Sequence, residues 1–400
     1  MRKKNTKLLI FITLMLVIPF SMVMDQFTPS MPYMVDALKT TPSLVQLTIP
    51  VYLLSGSISA LVWGTLSDRY GRRIILLISY PIGILGCIIC VSAPGIGILL
   101  IGRLLQGIGL SSSCLLAYAV MADVFKGKEL NKVSSYLSVT YCLVPILAPM
   151  TGGFLQSLFS WRANFIFLLI VCSGFYLIFM IFMPETHTPT EQHNLDIKRI
   201  TKNYLIVLKD NCFLLAVLCM ISAWSIEIAF SLKGPFLFHN SFGINAAEYG
   251  LIALIVGLGT MIGSFMNIFL IKYVSPEKLG KNCLLGALII SLILVSSIYM
   301  NFSYMWLVIL VSFSVVFVSG IIYPNFVAVA VSAHPSLAGT ANALIIGIVT
   351  LGATVSTTVI SFFHGSSLKI LSITFIVLII LCLLFHLLTC RMQKKRIDKV

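Results

Sequence analysis

Twelve apolar runs, each long enough to cross the ~30 Å hydrocarbon core of a bilayer, recur along the 400-residue sequence. They lie at roughly 8–36, 43–63, 74–93, 97–122, 134–157, 163–183, 211–238, 247–271, 281–300, 304–331, 339–361 and 368–390. Hydrocarbon offers no partner for backbone N–H and C=O groups, so only helices or closed barrels survive there. Barrel strands read as short segments of strict alternation, and these runs are continuously apolar. A mean hydropathy of +1.03, with only 10% charged residues, leaves no room for a soluble core of ordinary design. The sequence therefore predicts an all-α polytopic membrane protein of twelve transmembrane helices.

Charge fixes the expected orientation. Of the 27 Lys and Arg residues, 22 fall before the first run, after the last, or in the even-numbered connections. Positive charge accumulates on the cytoplasmic side, which puts both termini in the cytoplasm and makes membrane lipid the natural partner of the +14 net charge. These cations are dispersed among short loops, so nucleic acid is not expected as a partner. "MRKKNTK" resembles the start of a secretory signal, but the apolar stretch continues past Phe20 without a small-residue cleavage site and reads as the first span.

Chemistry of the enzymatic kind finds no foothold. The ten cysteines lie mostly inside spans, and Cys87-x-x-Cys90 has neither a second pair nor a nearby His, so it reads as two small apolar residues on one helix. The six histidines, His193 and His364 among them, are scattered without ligand spacing, and there is no phosphate-binding loop. Neither an enzyme, a metal nor a cofactor is expected. The longest hydrophilic stretch, 184–210, divides the spans six and six, with an offset of about 203 residues between the halves. Parallel six-span repeats imply two bundles around a midplane site, here 1–184 and 211–400 joined by a cytoplasmic linker, 185–210.

Specific motifs sharpen this picture. "GTLSDRYGRR", residues 64–73, resembles the connection between spans 2 and 3 in the major facilitator superfamily, with Gly64, Leu66, Asp68, Arg69, Gly71, Arg72 and Arg73 in register. "RLLQGIG" resembles the family's fourth-span motif through Arg103, Gln106 and Gly107. "APMTGG", residues 148–153, resembles the fifth-span antiporter motif through Pro149, Gly152 and Gly153, with Ala148 in place of its first glycine and Val144 where a further glycine is usual. "MDQFTPSMP" in span 1, "SWRANFIF" at the start of span 6 and "AGTANAL" at 338–344 are similar to the bicyclomycin/chloramphenicol-resistance type of drug:proton antiporter. The resemblance implies that Asp68, Arg72 and Asp123, at the end of span 4, form a charge cluster that latches the cytoplasmic side. Anchoring of the topology by Arg69, Arg72 and Arg73 is the alternative for the cations of this loop.

Ionisable residues at membrane depth are expensive and usually line a cavity or a proton path. Asp25 and Glu227 each lie about 25 Å up their spans from the cytoplasmic start, and Arg103 sits at a similar level. These three are the candidates for proton coupling and the substrate cavity, with Gln106 and Tyr118 beside them. Arg103 could instead pair with backbone carbonyls, and Asp25 could sit ionised at the outer interface. Lys233, nearer the outer surface, could snorkel. Met22, Met24, Phe27, Tyr52 and Trp224 suit polyspecific apolar binding but equally ordinary packing.

The resemblance and the buried charges together imply a monomeric, proton-driven antiporter of the bacterial inner membrane that exports small hydrophobic or amphipathic molecules by alternating access. A transporter of the same fold serving one metabolite, by siderophore export or proton symport, is the alternative. A membrane sensor without transport is a third reading, disfavoured because no loop is long enough to hold a soluble domain.

Overall fold

A computed structural model describes residues 3–187, 197–300, 304–334, 337–363 and 367–397. The middle of the expected linker with His193, the loop residue His364 and the chain's last three residues lie outside them. Among the described residues, 12 helical stretches are long and apolar enough to cross a membrane. Spans 1 to 6 are Lys7–Ala37, Pro42–Tyr70, Arg72–Ser92, Ile96–Val124, Gly127–Leu158 and Trp161–Phe182. Spans 7 to 12 are Asn211–Phe242, Ala246–Leu270, Pro276–Tyr299, Met305–Ser332, Gly339–Phe362 and Leu368–Lys394. The all-α, twelve-span architecture agrees with the sequence reading, and the helices run a few residues past the apolar windows because a helix need not end where the hydrocarbon does.

Contacts group the chain into two compact units, Met1–His193 with Asn245–Leu251, and Asn194–Ile244 with Ile252–Val400. The division falls within the expected linker. Its second part is helical (Ile197–Leu208) and belongs with the second unit, while the opening turns of span 8 belong with the first.

Within the first unit, span 1 is not one helix. An α-helix ends at Asp25, a 3-10 turn covers Thr28–Ser30, and a short helix resumes over Met31–Ala37. Proline chemistry explains the break. Pro29 has no N–H for the Asp25 carbonyl four residues back, and the Thr28 hydroxyl donates to that carbonyl instead, at 2.8 Å. Pro32 likewise leaves the Thr28 carbonyl without its α-helical donor, and the Met31 N–H fills in with a 3-10 bond. Between spans 2 and 3 the expected loop is almost absent. Span 2 stays helical through Tyr70 and span 3 begins at Arg72, so Gly71 alone makes the reversal. Its φ of +100° is the left-handed region that glycine enters without penalty.

Span 4 packs closely on its neighbours through small residues, as membrane helices do: a Cβ on Gly107 would strike the Tyr52 carbonyl of span 2. In the second unit, span 7 is heavily buried. Its Ala223 carbonyl accepts from Ser319 of span 10 at 2.9 Å, and the Cys219 and Cys382 sulfurs of spans 7 and 12 lie 3.5 Å apart. A reciprocal amide pair, Asn267 with Asn325, joins spans 8 and 10 at 3.1 and 2.9 Å.

Candidate functional site

The break in span 1 creates a helix end inside the membrane, and Arg103 of span 4 reaches into it. The last carbonyls of any helix lack intrahelical donors and carry partial negative charge. Val23 owns one of them, and Arg103 Nη1 donates to it at 2.9 Å. The same guanidinium donates through Nε to the Thr48 carbonyl of span 2 at 3.1 Å and through Nη1 to Gln106 Oε1 at 2.9 Å. Phe27 and Tyr52 flank it, with ring centroids 4.5 and 4.7 Å from its central carbon. Tyr52 is held in turn by a 2.7 Å bond from its hydroxyl to the Phe20 carbonyl. A desolvated cation between two aromatic faces gains ~2 kcal/mol or more per favourable face. Arg103 is wholly buried, and its Nη2 is without a hydrogen-bond partner among the described residues.

Asp25 ends the broken helix at 7% exposure, within electrostatic reach of Arg103 and of Tyr249. Of the alternatives left open for Arg103, its hydrogen bonds make the pairing with backbone carbonyls, and it feels the Asp25 charge only at longer range. Gln106 belongs to this cluster. Tyr118 does not, because it lies 15 residues further along span 4, about 22 Å at 1.5 Å per residue, and is 40% exposed beside Ser138 of span 5. Its placement beside Asp25 and Arg103 is therefore corrected, and the separation follows from 15 residues along one continuous helix.

The span-1 break is also where two other motif segments meet. A Cβ on Gly152 of span 5 would collide with the Gln26 carbonyl. Asn164 of span 6 donates to Ser30 Oγ at 2.8 Å and to the Gly152 carbonyl at 3.3 Å. One residue on, a Cβ on Gly153 would strike the Ala246 carbonyl in the opening turn of span 8. Pro149 and buried Ala148 lie in an unbroken helix, and the Thr151 hydroxyl donates to the Ala148 carbonyl at 2.8 Å.

At the other end of the first unit, Arg72 is the hub of the span 2–3 connection. Its Nε meets Asp123 Oδ2 at 3.0 Å, while Nη1 donates to Asp68 Oδ1 and, at 2.7 Å, to Ser67 Oγ. Arg72 is buried although both carboxylates are partly open. Arg73 donates to the Met180 carbonyl at 2.8 Å. Arg69 is exposed and lies over the Tyr70 ring. Gly64 has Leu115 as its near neighbour, 3.3 Å from where a Cβ would be.

Sequence reasoning missed Glu185, just after span 6. Its carboxylate accepts from the backbone N–H groups of Arg72 at 2.9 Å and Arg73 at 3.1 Å, capping span 3 at its start. Thr186 and His187 follow it into the cluster, Thr186 Oγ1 donating to Asp123 Oδ2 at 3.3 Å and His187 Nε2 lying 3.1 Å from the Asp68 carbonyl. A proline–acid–hydroxyl triplet at a span end was the only available signal.

In the second unit, Glu227 is half-buried on span 7 and accepts from Thr260 of span 8 at 2.9 Å. No ion pair to Glu227 occurs among the described residues. Lys233 does not snorkel. It is 4% exposed and donates to the Phe363 carbonyl at 3.2 Å, placing its charge at the C-terminal end of span 11, where a helix attracts cations.

The chain matches the Major Facilitator Superfamily profile over residues 9–357. It is 25% identical to multidrug resistance protein D of Escherichia coli K12, over 88% of each chain. It is also 25% identical to a bicyclomycin resistance protein homolog of Haemophilus influenzae, over 93% of this chain and 94% of that one. The solved xylose transporter XylE of E. coli has the same fold, with a TM-score of 0.68 at 14% identity over 93% of this chain and 95% of that one.

Proposed function

The chain belongs to the major facilitator superfamily, and on that premise we propose that it is a proton-coupled antiporter exporting small hydrophobic or amphipathic molecules across a bacterial inner membrane. The observation that carries this reading is a buried acid and a buried arginine within electrostatic reach of each other at the span-1 break. Asp25 can bind and release a proton, and Arg103 beside it has one terminal nitrogen uncommitted among the described residues. When Arg103 turns toward Asp25 it favours the carboxylate; when it turns away, the proton is retained. Substrate and proton then compete for one acidic site, and each opening of the site exchanges one for the other. Relatives named for resistance to bicyclomycin and to multiple drugs support export of small molecules.

Alternating access needs a closure on the cytoplasmic side, a role we assign to the Asp68–Arg72–Asp123 cluster with its Glu185 cap. Both termini and the linker are placed in the cytoplasm, in keeping with the cation distribution, and the protein works as a monomer with no cofactor beyond the proton gradient. The test is transport by the purified protein in proteoliposomes under an imposed pH gradient, with a panel of neutral and cationic drugs. Flux of substrate opposite to the proton, abolished when the gradient is collapsed, is expected. Substrate moving with the proton would replace antiport by symport.

A further inference from the structure

The Cys87-x-x-Cys90 spacing has a different meaning in three dimensions. Both thiols are buried on span 3, but they face different partners. Cys90 leans on span 4 at Gly102 and the Leu99 carbonyl, the latter at 3.9 Å. Cys87 meets Gln106, whose Nε2 donates to its sulfur at 3.2 Å. The orientation of that amide follows from chemistry: Arg103 has only donors, so Gln106 must turn its oxygen toward Arg103 and its NH2 toward the sulfur. On the far side, Cys172 of span 6 neighbours Cys87. Cys87, Cys90, Arg103, Gln106 and Cys172 are all fully buried.

We propose that Cys87 is a positioning residue for Arg103: its sulfur holds the Gln106 amide in the orientation that presents Oε1 to the guanidinium. The series Cys172, Cys87, Gln106, Arg103 then runs from span 6 through spans 3 and 4 to the carbonyls of spans 1 and 2. Gly86 completes the seat, since a Cβ there would lie 2.9 Å from Gln106 Cγ. Without the sulfur, the Gln106 NH2 is a buried donor with nothing to meet, and burying it unpaired is unfavourable enough for the amide to turn and take its oxygen away from Arg103. Thiol sulfur is a weak acceptor, which suits a contact that must yield if Arg103 moves during transport.

The transport consequence rests on the proton-coupled reading given above; the positioning itself does not, so the two are tested separately. The first arm follows the Arg103 Nε resonance by NMR in nitrogen-15-arginine-labelled protein, assigned by its loss in Arg103→Lys. Cys87→Ala is expected to shift this resonance, Cys87→Ser to restore it, and Cys90→Ala, which removes the same atom from the same helix but no contact of Gln106, to move it less. The second arm measures pH-driven transport. Cys87→Ala should lower the maximal rate about tenfold with little change in the half-saturating substrate concentration, and Cys87→Ser should recover it to within about twofold. An Arg103 resonance indifferent to Cys87→Ala, or moved equally by Cys90→Ala, overturns the positioning role. A shifted resonance with undiminished transport also overturns it as a functional contact. A shifted resonance in a protein whose wild type shows no proton-driven flux leaves the positioning standing and removes the antiport reading.

Discussion

The Gln26 carbonyl lies over Gly152 so closely that a single methyl at position 152 would overlap it. This contact ties the break in span 1 to span 5, and the amide of Asn164 binds both sides of it. Small residues in membrane helices normally permit backbone approach; here the approach is made to the turn that carries Asp25.

Replacement of Gly152 by Ala should therefore push span 5 away from the break and lower stability by ~1–3 kcal/mol, the usual range for overpacking a close contact. Gly95→Ala is the matched control, because nothing lies within 4 Å of a Cβ there. Thermal unfolding in detergent reads the first effect and transport the second. Equal behaviour of the two variants would mean that span 5 yields freely. Gly153→Leu should abolish transport outright, and activity surviving that change would show that close packing at 153 is dispensable.

Glu185 offers a prediction at the Asp68–Arg72–Asp123 cluster. Glu185→Gln keeps an acceptor for one of the two N–H groups, sets an NH2 donor against the other and loses the charge at the start of span 3, and Glu185→Ala loses both acceptors and the charge. Stability should fall by about 1 kcal/mol for Ala and by less for Gln, as for other helix caps. If the cluster closes the cytoplasmic side, both variants and Asp68→Asn should raise labelling of cysteines introduced near the inner ends of the spans. An unchanged ratio of inward to outward labelling in Asp68→Asn would remove the latch role from this cluster while leaving the cap intact.

The spans were legible because hydrocarbon thickness imposes a length on every one of them, and no tertiary accident can shorten that. Asp68, Arg72 and Asp123 were legible as a cluster through the resemblance of residues 64–73 to the family's loop, with the depth of span 4 placing Asp123 at the same end. Glu185 was not, since its partners Arg72 and Arg73 are more than a hundred residues away and a lone acid after a span end resembles ordinary solvated charge. The span-1 break could be suspected from Pro29 and Pro32, but the cation that caps it sits on another helix. Lys233 misled for a simple reason: depth along a helix says nothing about which neighbouring helix end the side chain meets.

Arg103→Lys tests whether charge alone suffices at the break. An ammonium cannot bridge the Val23 and Thr48 carbonyls, hold Gln106 and fill the space between two rings at once, so the exchange is not conservative. Transport should fall by more than about tenfold, equivalent to the loss of one charged hydrogen bond of ~1.5 kcal/mol or more. Full activity of the Lys variant would mean that positive charge, not geometry, is what the break requires.

The last prediction assigns the proton. Two acids at membrane depth are available, and their surroundings differ. Asp25 lies within electrostatic reach of Arg103, and on the proton-coupled reading that arginine is the movable charge that would expel or admit the proton. Glu227 has a hydroxyl donor from Thr260 and no ion pair among the described residues, so its only visible means of changing proton affinity is to make or break that single 2.9 Å bond. A movable full charge acts more strongly than a hydroxyl dipole at the same distance, and Asp25 is therefore the expected carrier. Asp25→Asn, which mimics the protonated acid, should abolish pH-driven export while permitting downhill exchange of neutral substrates. Substrate-induced proton release from purified protein in weak buffer separates the two acids directly. Release should vanish in Asp25→Asn and persist in Glu227→Gln. The reverse pattern moves the carrier to Glu227, where Thr260→Val should then alter the pH dependence of release. Release that survives both substitutions would eliminate competition at either acid as the coupling step.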